Sequence, residues 1–379
     1  MKAISLLALV TACVSATLPQ IPDGVNRTQE QLEAIKDDAD VNRKCHTQNT
    51  NYIPALQKGN YVANGFHNCF RTDAQIYEFL DALVKLNPDV VTKFPVGTTF
   101  KKQTIYGYKI VANPAKPPTQ ALYLQSLIHA REWITGSSNL YAISALLDDI
   151  NNGKVKDTLL ESYAYYTVPV LNIDGYQLSW TGNRYQRKNA NGVDLNRNWP
   201  GPYDDPDPPS PSDETYPGPY PWSEPETKTV GTWLTGKKGE IAGLIDLHSN
   251  AGSVLVPVGD TTSPLPGDTD DRLKKLGDAL ASAMGGGYDV GRSYDILGYM
   301  VYHGTRDWGF RNLDKPTLTV EMTGVDFVVP ADTIRARGKE LYQGLQAYGK
   351  QCTIYNGGTT PAPTSGTPTM TPTTPKPAC

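Results

Sequence analysis

The sequence predicts one large α/β domain: a central mixed, largely parallel twisted sheet flanked by helices on both faces. Three observations carry that expectation. Near-continuous apolar runs such as ALYLQSLI (121–128) and EIAGLIDLH (240–248) read as strands buried on both sides, the habit of parallel sheets. Amphipathic helical stretches alternate with those runs, as βαβ units require. A chain of 379 residues, 39% of them hydrophobic, is long enough to bury one large core.

The elements follow in order. Thr72 opens TDAQIYEFLDALVKLNP with Gln75 as its capping-box partner. Ile76, Phe79, Leu80, Leu83 and Val84 share one helical face, and Pro88 stops the helix. ALYLQSLI and AYYTVPVLNI read as strands, with SSNLYAISALLDDINNG between them as a helix that Gly153 closes. SEPETKTVGTWL begins with a second capping-box pattern, Ser223 to Glu226. PTLTVEM is a strand carrying Glu321, and DRLKKLGDALASAM and IRARGKELYQGLQAYGK are amphipathic helices.

Composition divides the rest. Residues 1–16, MKAISLLALVTACVSA, read as a secretory signal peptide, too short to span a membrane as a helix. Residues 17–65 form a short polar N-terminal segment, a possible pro-segment, with one short helix and no strong core pattern. The folded domain is expected over 66–353, and the Thr/Pro-rich stretch 354–379 is expected to be a disordered tail. Cys45, Cys69, Cys352 and Cys379 remain after the signal, and four cysteines allow three pairings. Pairing within each end, Cys45 with Cys69 and Cys352 with Cys379, is the expectation. A net charge of −4 with mixed signs argues against nucleic acid or an anionic membrane surface. No later segment is long and apolar enough to span a bilayer, so the expected product is a secreted, extracellular monomer.

Chemistry concentrates at strand ends, where open α/β sheets bind ligands. His129 and Glu132 follow one apolar run, His248 ends another, and Glu321 lies near the end of a third. Three such ligands plus an open position would suit a catalytic zinc ion. HxxE alone is a weak motif, and a histidine at a strand end is more often structural. RKNANGVDLNRNWP groups Arg187, Asp194, Asn196 and Arg197, a set suited to binding an anion.

Taken with these pieces, residues 66–348 resemble the zinc metallocarboxypeptidases of the carboxypeptidase A/B type. The matching stretches are HAREWIT, NIDGY, QRK, GVDLNRNW, ETYPG, SEPET, DLHS, GTRDW and TVEM, in the family's order. The resemblance implies zinc held by His129, Glu132 and His248, with Asp194 orienting His129. It implies Glu321 as general base and Arg187 as the stabiliser of the developing oxyanion. Asn196, Arg197 and Tyr299 would hold the terminal carboxylate of a peptide or protein substrate, and Arg131 would line an outer subsite. At the position that sets side-chain preference the sequence carries Arg306, with Gly259 as a small pocket residue. A preference for C-terminal Glu or Asp follows from that charge, as in the rarer acidic-specific members; pairing of Arg306 with a neighbouring carboxylate would leave the preference undefined. Residues 17–65 are too short a segment for the globular prodomain of the digestive enzymes, and Ala190 and Ser212 stand where animal enzymes have loop cysteines. A catalytically silent binding protein on the same fold, or a zinc hydrolase removing a small acyl or amino-acid group, are the competing readings.

Overall fold

The computed structural model describes residues 26–358; the expected signal peptide (1–16) and the tail beyond 358 lie outside the described residues. In chain order the elements are α1 (Gln29–Gln48), α2 (Asp73–Leu86), β1 (Val91–Thr98), β2 (Thr104–Ile110), β3 (Ala121–Ser126), α3 (Trp133–Asn151), α4 (Leu159–Ser162) and β4 (Ala164–Val168). They continue with α5 (Ile173–Thr181), α6 (Pro225–Gly236), β5 (Ile241–Val256), α7 (Thr269–Ala283), β6 (Asp289–Arg292), α8 (Ser293–Leu297), α9 (Thr305–Leu313), β7 (Thr317–Thr323) and α10 (Ile334–Tyr355).

The seven strands form one mixed sheet in the order β1-β2-β4-β3-β5-β6, with β7 also paired to β5. The β1–β2 hairpin, which the apolar pattern did not announce, adds the antiparallel edge; β4, β3, β5 and β7 run parallel. Leu124, Leu244, Ile245, Leu247, Leu318 and Val320 at the sheet centre are fully buried. Each such side chain contributes about 1.5–3 kcal/mol of apolar burial. The helices α3, α7 and α10 pack together against the sheet, and α6 and α9 form a second group.

The Thr72 capping box forms as expected, with its hydroxyl accepting from Gln75 N. The Ser223 box does not. Pro225 takes the first helical position, which its fixed φ suits, so Glu224 becomes the N-cap and Ser223 lies outside the helix. The strand expected through AYYTVPVLNI ends at Val168, ahead of Pro169, which has no N–H for the ladder. NIDGY instead starts α5, with the Asn172 side chain accepting from Gly175 N.

The N-terminal segment is more ordered than its polarity suggested. α1 runs for 20 residues from a Thr28–Gln31 capping box, and Tyr52 and Tyr61 beyond it are buried in the core. The Cys45–Cys69 disulfide is present, with Cα atoms 5.9 Å apart. Cys352 is buried in α10, and its expected partner Cys379 lies outside the described residues. Among the described residues no helix is long and apolar enough to cross a membrane.

Candidate active site

Beyond the end of β3 the chain turns sharply, with Leu127 in left-handed backbone (φ 55°), before α3 begins. That turn carries His129 and Glu132, both buried. Thr135 fixes it by donating to the Glu132 carbonyl at 2.8 Å and accepting from Leu127 N. β5 brings His248 to the same point. His129 Nδ1 lies 3.0 Å from His248 Nδ1 and 2.8 Å from Glu132 Oε1, and His248 Nδ1 lies 3.3 Å from Glu132 Oε2.

The opposite ring nitrogens are already engaged. His129 Nε2 lies 3.1 Å from Asp194 Oδ1, and His248 Nε2 lies 2.9 Å from Asp246 Oδ2. A carboxylate at Nε2 keeps the proton there, so both Nδ1 lone pairs face one point beside a third carboxylate. Lone pairs 3.0 Å apart repel unless a cation lies between them. Two imidazole nitrogens and a carboxylate, buried and with ligand atoms all within 4.8 Å of one another, fit zinc. Asp246 was not singled out from the sequence; its position two residues before His248 puts it on the same strand face, which is the signal that could have found it.

Asp194 has a second task. Arg187 donates to its Oδ2 from Nε (3.0 Å) and Nη2 (2.7 Å), while Arg187 Nη1 lies 3.2 Å from His129 Nδ1. Burial alone would raise the Asp194 carboxyl, but Arg187 and His129 outweigh it and hold it well below the usual carboxylate range. Burial lifts the Glu321 carboxyl above its usual range, against the pull of His248.

A cavity of about 110 Å³ opens beside these groups, lined by His129, Arg187, Asn196, Arg197, Tyr299, Arg306 and Glu321 among others. Seven predicted site residues, scattered over almost 200 positions of sequence, thus face one space. Tyr299 stands at the rim and is 54% exposed. Asn196 Oδ1 accepts from Thr305 N at 2.9 Å, and its Nδ2 lies 3.2 Å from His248 Nε2. Arg306 is buried; its Nε donates to Asp307 Oδ1 (2.8 Å) and its Nη1 to Ser293 Oγ (2.7 Å). Gly259 makes room for it: a Cβ there would lie 2.1 Å from Arg306 Nη2. Arg131 does not line the cavity. Its Nη1 donates to Glu214 at 2.6 Å, and its guanidinium lies 4.2 Å from the Phe327 ring centre.

A buried His–Glu–His donor set at strand ends, facing a carboxylate and several guanidinium groups, suits a zinc hydrolase. The comparisons agree. The zinc carboxypeptidase family matches residues 76–344. A zinc carboxypeptidase of Simulium vittatum is 33% identical over 294 residues, covering 73% of this chain and 94% of that one. Carboxypeptidase O of Bos taurus is 30% identical over 296 residues, covering 74% and 78%. The crystal structure of carboxypeptidase A from Helicoverpa armigera has the same fold, with TM-score 0.72 at 24% identity over 87% of this chain and 82% of that one. The chain belongs to the zinc carboxypeptidase family and is a metallocarboxypeptidase with zinc as its cofactor.

Proposed function

We propose that the protein is a secreted exopeptidase that hydrolyses the C-terminal peptide bond of peptides and proteins, preferring C-terminal Glu or Asp. Secretion is supported by the signal-like N-terminus and by a disulfide, which oxidising compartments favour. In this reading His129, Glu132 and His248 hold the zinc, which supplies Lewis acidity to water and to the scissile carbonyl. Glu321 takes a proton from the attacking water and passes it to the amine as the C–N bond breaks. Asp194 holds one edge of Arg187, leaving Nη1 on the side of the metal ligands to meet the charge that develops on the carbonyl oxygen. Arg197, with Asn196 and Tyr299, receives the substrate's terminal carboxylate, and Arg131 lines the outer cleft.

The acidic preference is carried by one observation: a buried guanidinium in the cavity wall with its Nη2 edge against Gly259. Asp307 pairs with Arg306 but occupies only its Nε edge, and Ser293 is a neutral acceptor. A donor edge therefore stays available to a substrate carboxylate, while an aliphatic side chain would leave that buried edge without an acceptor. Chelation followed by zinc re-addition tests the exopeptidase assignment. Release of the last amino acid should vanish and return; a metal-replete protein that releases nothing contradicts it.

A further inference from the structure

We infer that Asp38 of α1, acting through Arg184, is a positioning residue for the outer end of the substrate cleft, and that the arm carrying it stays on the working enzyme. Arg184 is buried, and each of its guanidinium nitrogens is engaged by a different segment. Nε donates to Asp38 Oδ2 at 2.6 Å, Nη1 to the Arg131 carbonyl at 2.7 Å, and Nη2 to the Phe327 carbonyl at 3.1 Å. The group also lies 3.7 Å from the Trp133 ring centre, so it has no room to swing. Arg184 thereby ties the arm, the turn that carries His129 and Glu132, and the loop after β7.

Asp38 supplies the charge that makes the tie tolerable. Both side chains of the pair are under 10% exposed. Removing the arm would leave a buried guanidinium without its carboxylate, which is strongly unfavourable. A second contact reinforces the first: Arg27 Nε donates to Asp326 Oδ2 at 2.8 Å, next to Phe327, and Tyr185 also donates to Asp326. The Cys45–Cys69 disulfide anchors the far end of α1 to the body.

In the exopeptidase reading Arg131 belongs to the outer cleft, and Phe327 packs on it. Arg131 and Phe327 stack on each other, and both present their carbonyls to Arg184. The ligand Glu132 is pinned independently, by Thr135 at its carbonyl and by Ser249 N, which donates to its Oε2 at 3.2 Å. Loss of Asp38 is therefore felt outward from the zinc site, where a long substrate lies and a short one does not. This inference rests on the exopeptidase reading proposed above.

The test compares the full-length wild-type chain with Asp38→Asn on two substrates ending in Glu, a hexapeptide and an N-blocked dipeptide. The expected result is a fall of about tenfold in kcat/KM on the hexapeptide, carried by KM, with the dipeptide within about twofold of wild type. Asp326→Asn, which loosens the same loop from the arm's other end, should move the same ratio and decides the matter if Asp38→Asn fails to fold. Equal losses on both substrates, no change on either, or isolation of a fully active enzyme lacking residues 27–44 would each overturn the inference. No release from either substrate by the wild-type chain overturns the exopeptidase reading and this inference with it.

Discussion

His248 and Glu321 face each other as register partners on the neighbouring parallel strands β5 and β7. A metal ligand and the carboxylate proposed to move the proton are thus fixed by the sheet itself, at the spacing of adjacent strands, roughly 4.8 Å between backbones. No loop has to close to bring them together.

That rigidity separates their roles. Glu321→Gln keeps the shape and removes the base, so kcat should fall by about 10²- to 10⁴-fold while zinc content stays at wild type. Zinc analysis beside single-turnover rates checks both halves. A variant that loses zinc as well as rate would show Glu321 to be part of the metal site.

Asp246 makes a different prediction. It holds His248 Nε2 at 2.9 Å, as Asp194 holds His129. Asp246→Asn leaves all three ligands in place but weakens the hold on the tautomer, and should lower zinc affinity or activity by about 10- to 100-fold. Competition with a chelator of known affinity measures the first effect. Unchanged affinity and rate would make Asp246 a core residue only.

The fold was legible because it follows short-range rules, whereas the metal-ligand set came from the resemblance to the zinc carboxypeptidases. Buried strands leave apolar runs, and His129, His248 and Glu321 stand at or near the ends of such runs. What was illegible depends on partners far apart in the chain. Arg131 meets Glu214, 83 positions away, and Asp38 meets Arg184, 146 away. α1 buries Asp38 and Asn42 beside Ile35, so its inner face shows little apolar periodicity. The Ser223 cap failed for a local reason, since Pro225 competes for the helix start.

Stability against pH offers a check far from the zinc. Burial, then Arg335 and Arg71, lower His67 from 6.5 to about 3. Between those values the unfolded chain takes up a proton that the folded protein refuses, so stability falls as pH drops through this window. His67→Gln removes that one proton, and the slope of stability between pH 5 and 6 should decrease by about 1.4 kcal/mol per pH unit. Urea unfolding of both proteins at several pH values gives the slopes. Identical slopes would mean that His67 ionises in the folded state.

Side-chain preference should respond to both members of the Arg306–Gly259 contact. Arg306→Ile removes the donor edge, and the ratio of kcat/KM for C-terminal Glu over Leu should fall about 10- to 100-fold. Gly259→Ala places a Cβ 2.1 Å from Nη2, forcing the guanidinium to shift, and should lower the same ratio while retaining cleavage at Leu. Unaltered ratios in both variants would remove Arg306 from specificity.

The most direct test is a set of hexapeptides identical except for the last residue, incubated with the wild-type enzyme. Release of Glu and Asp should exceed release of Leu and Phe by about tenfold or more in kcat/KM. Faster release of Phe or Leu than of Glu would contradict the account.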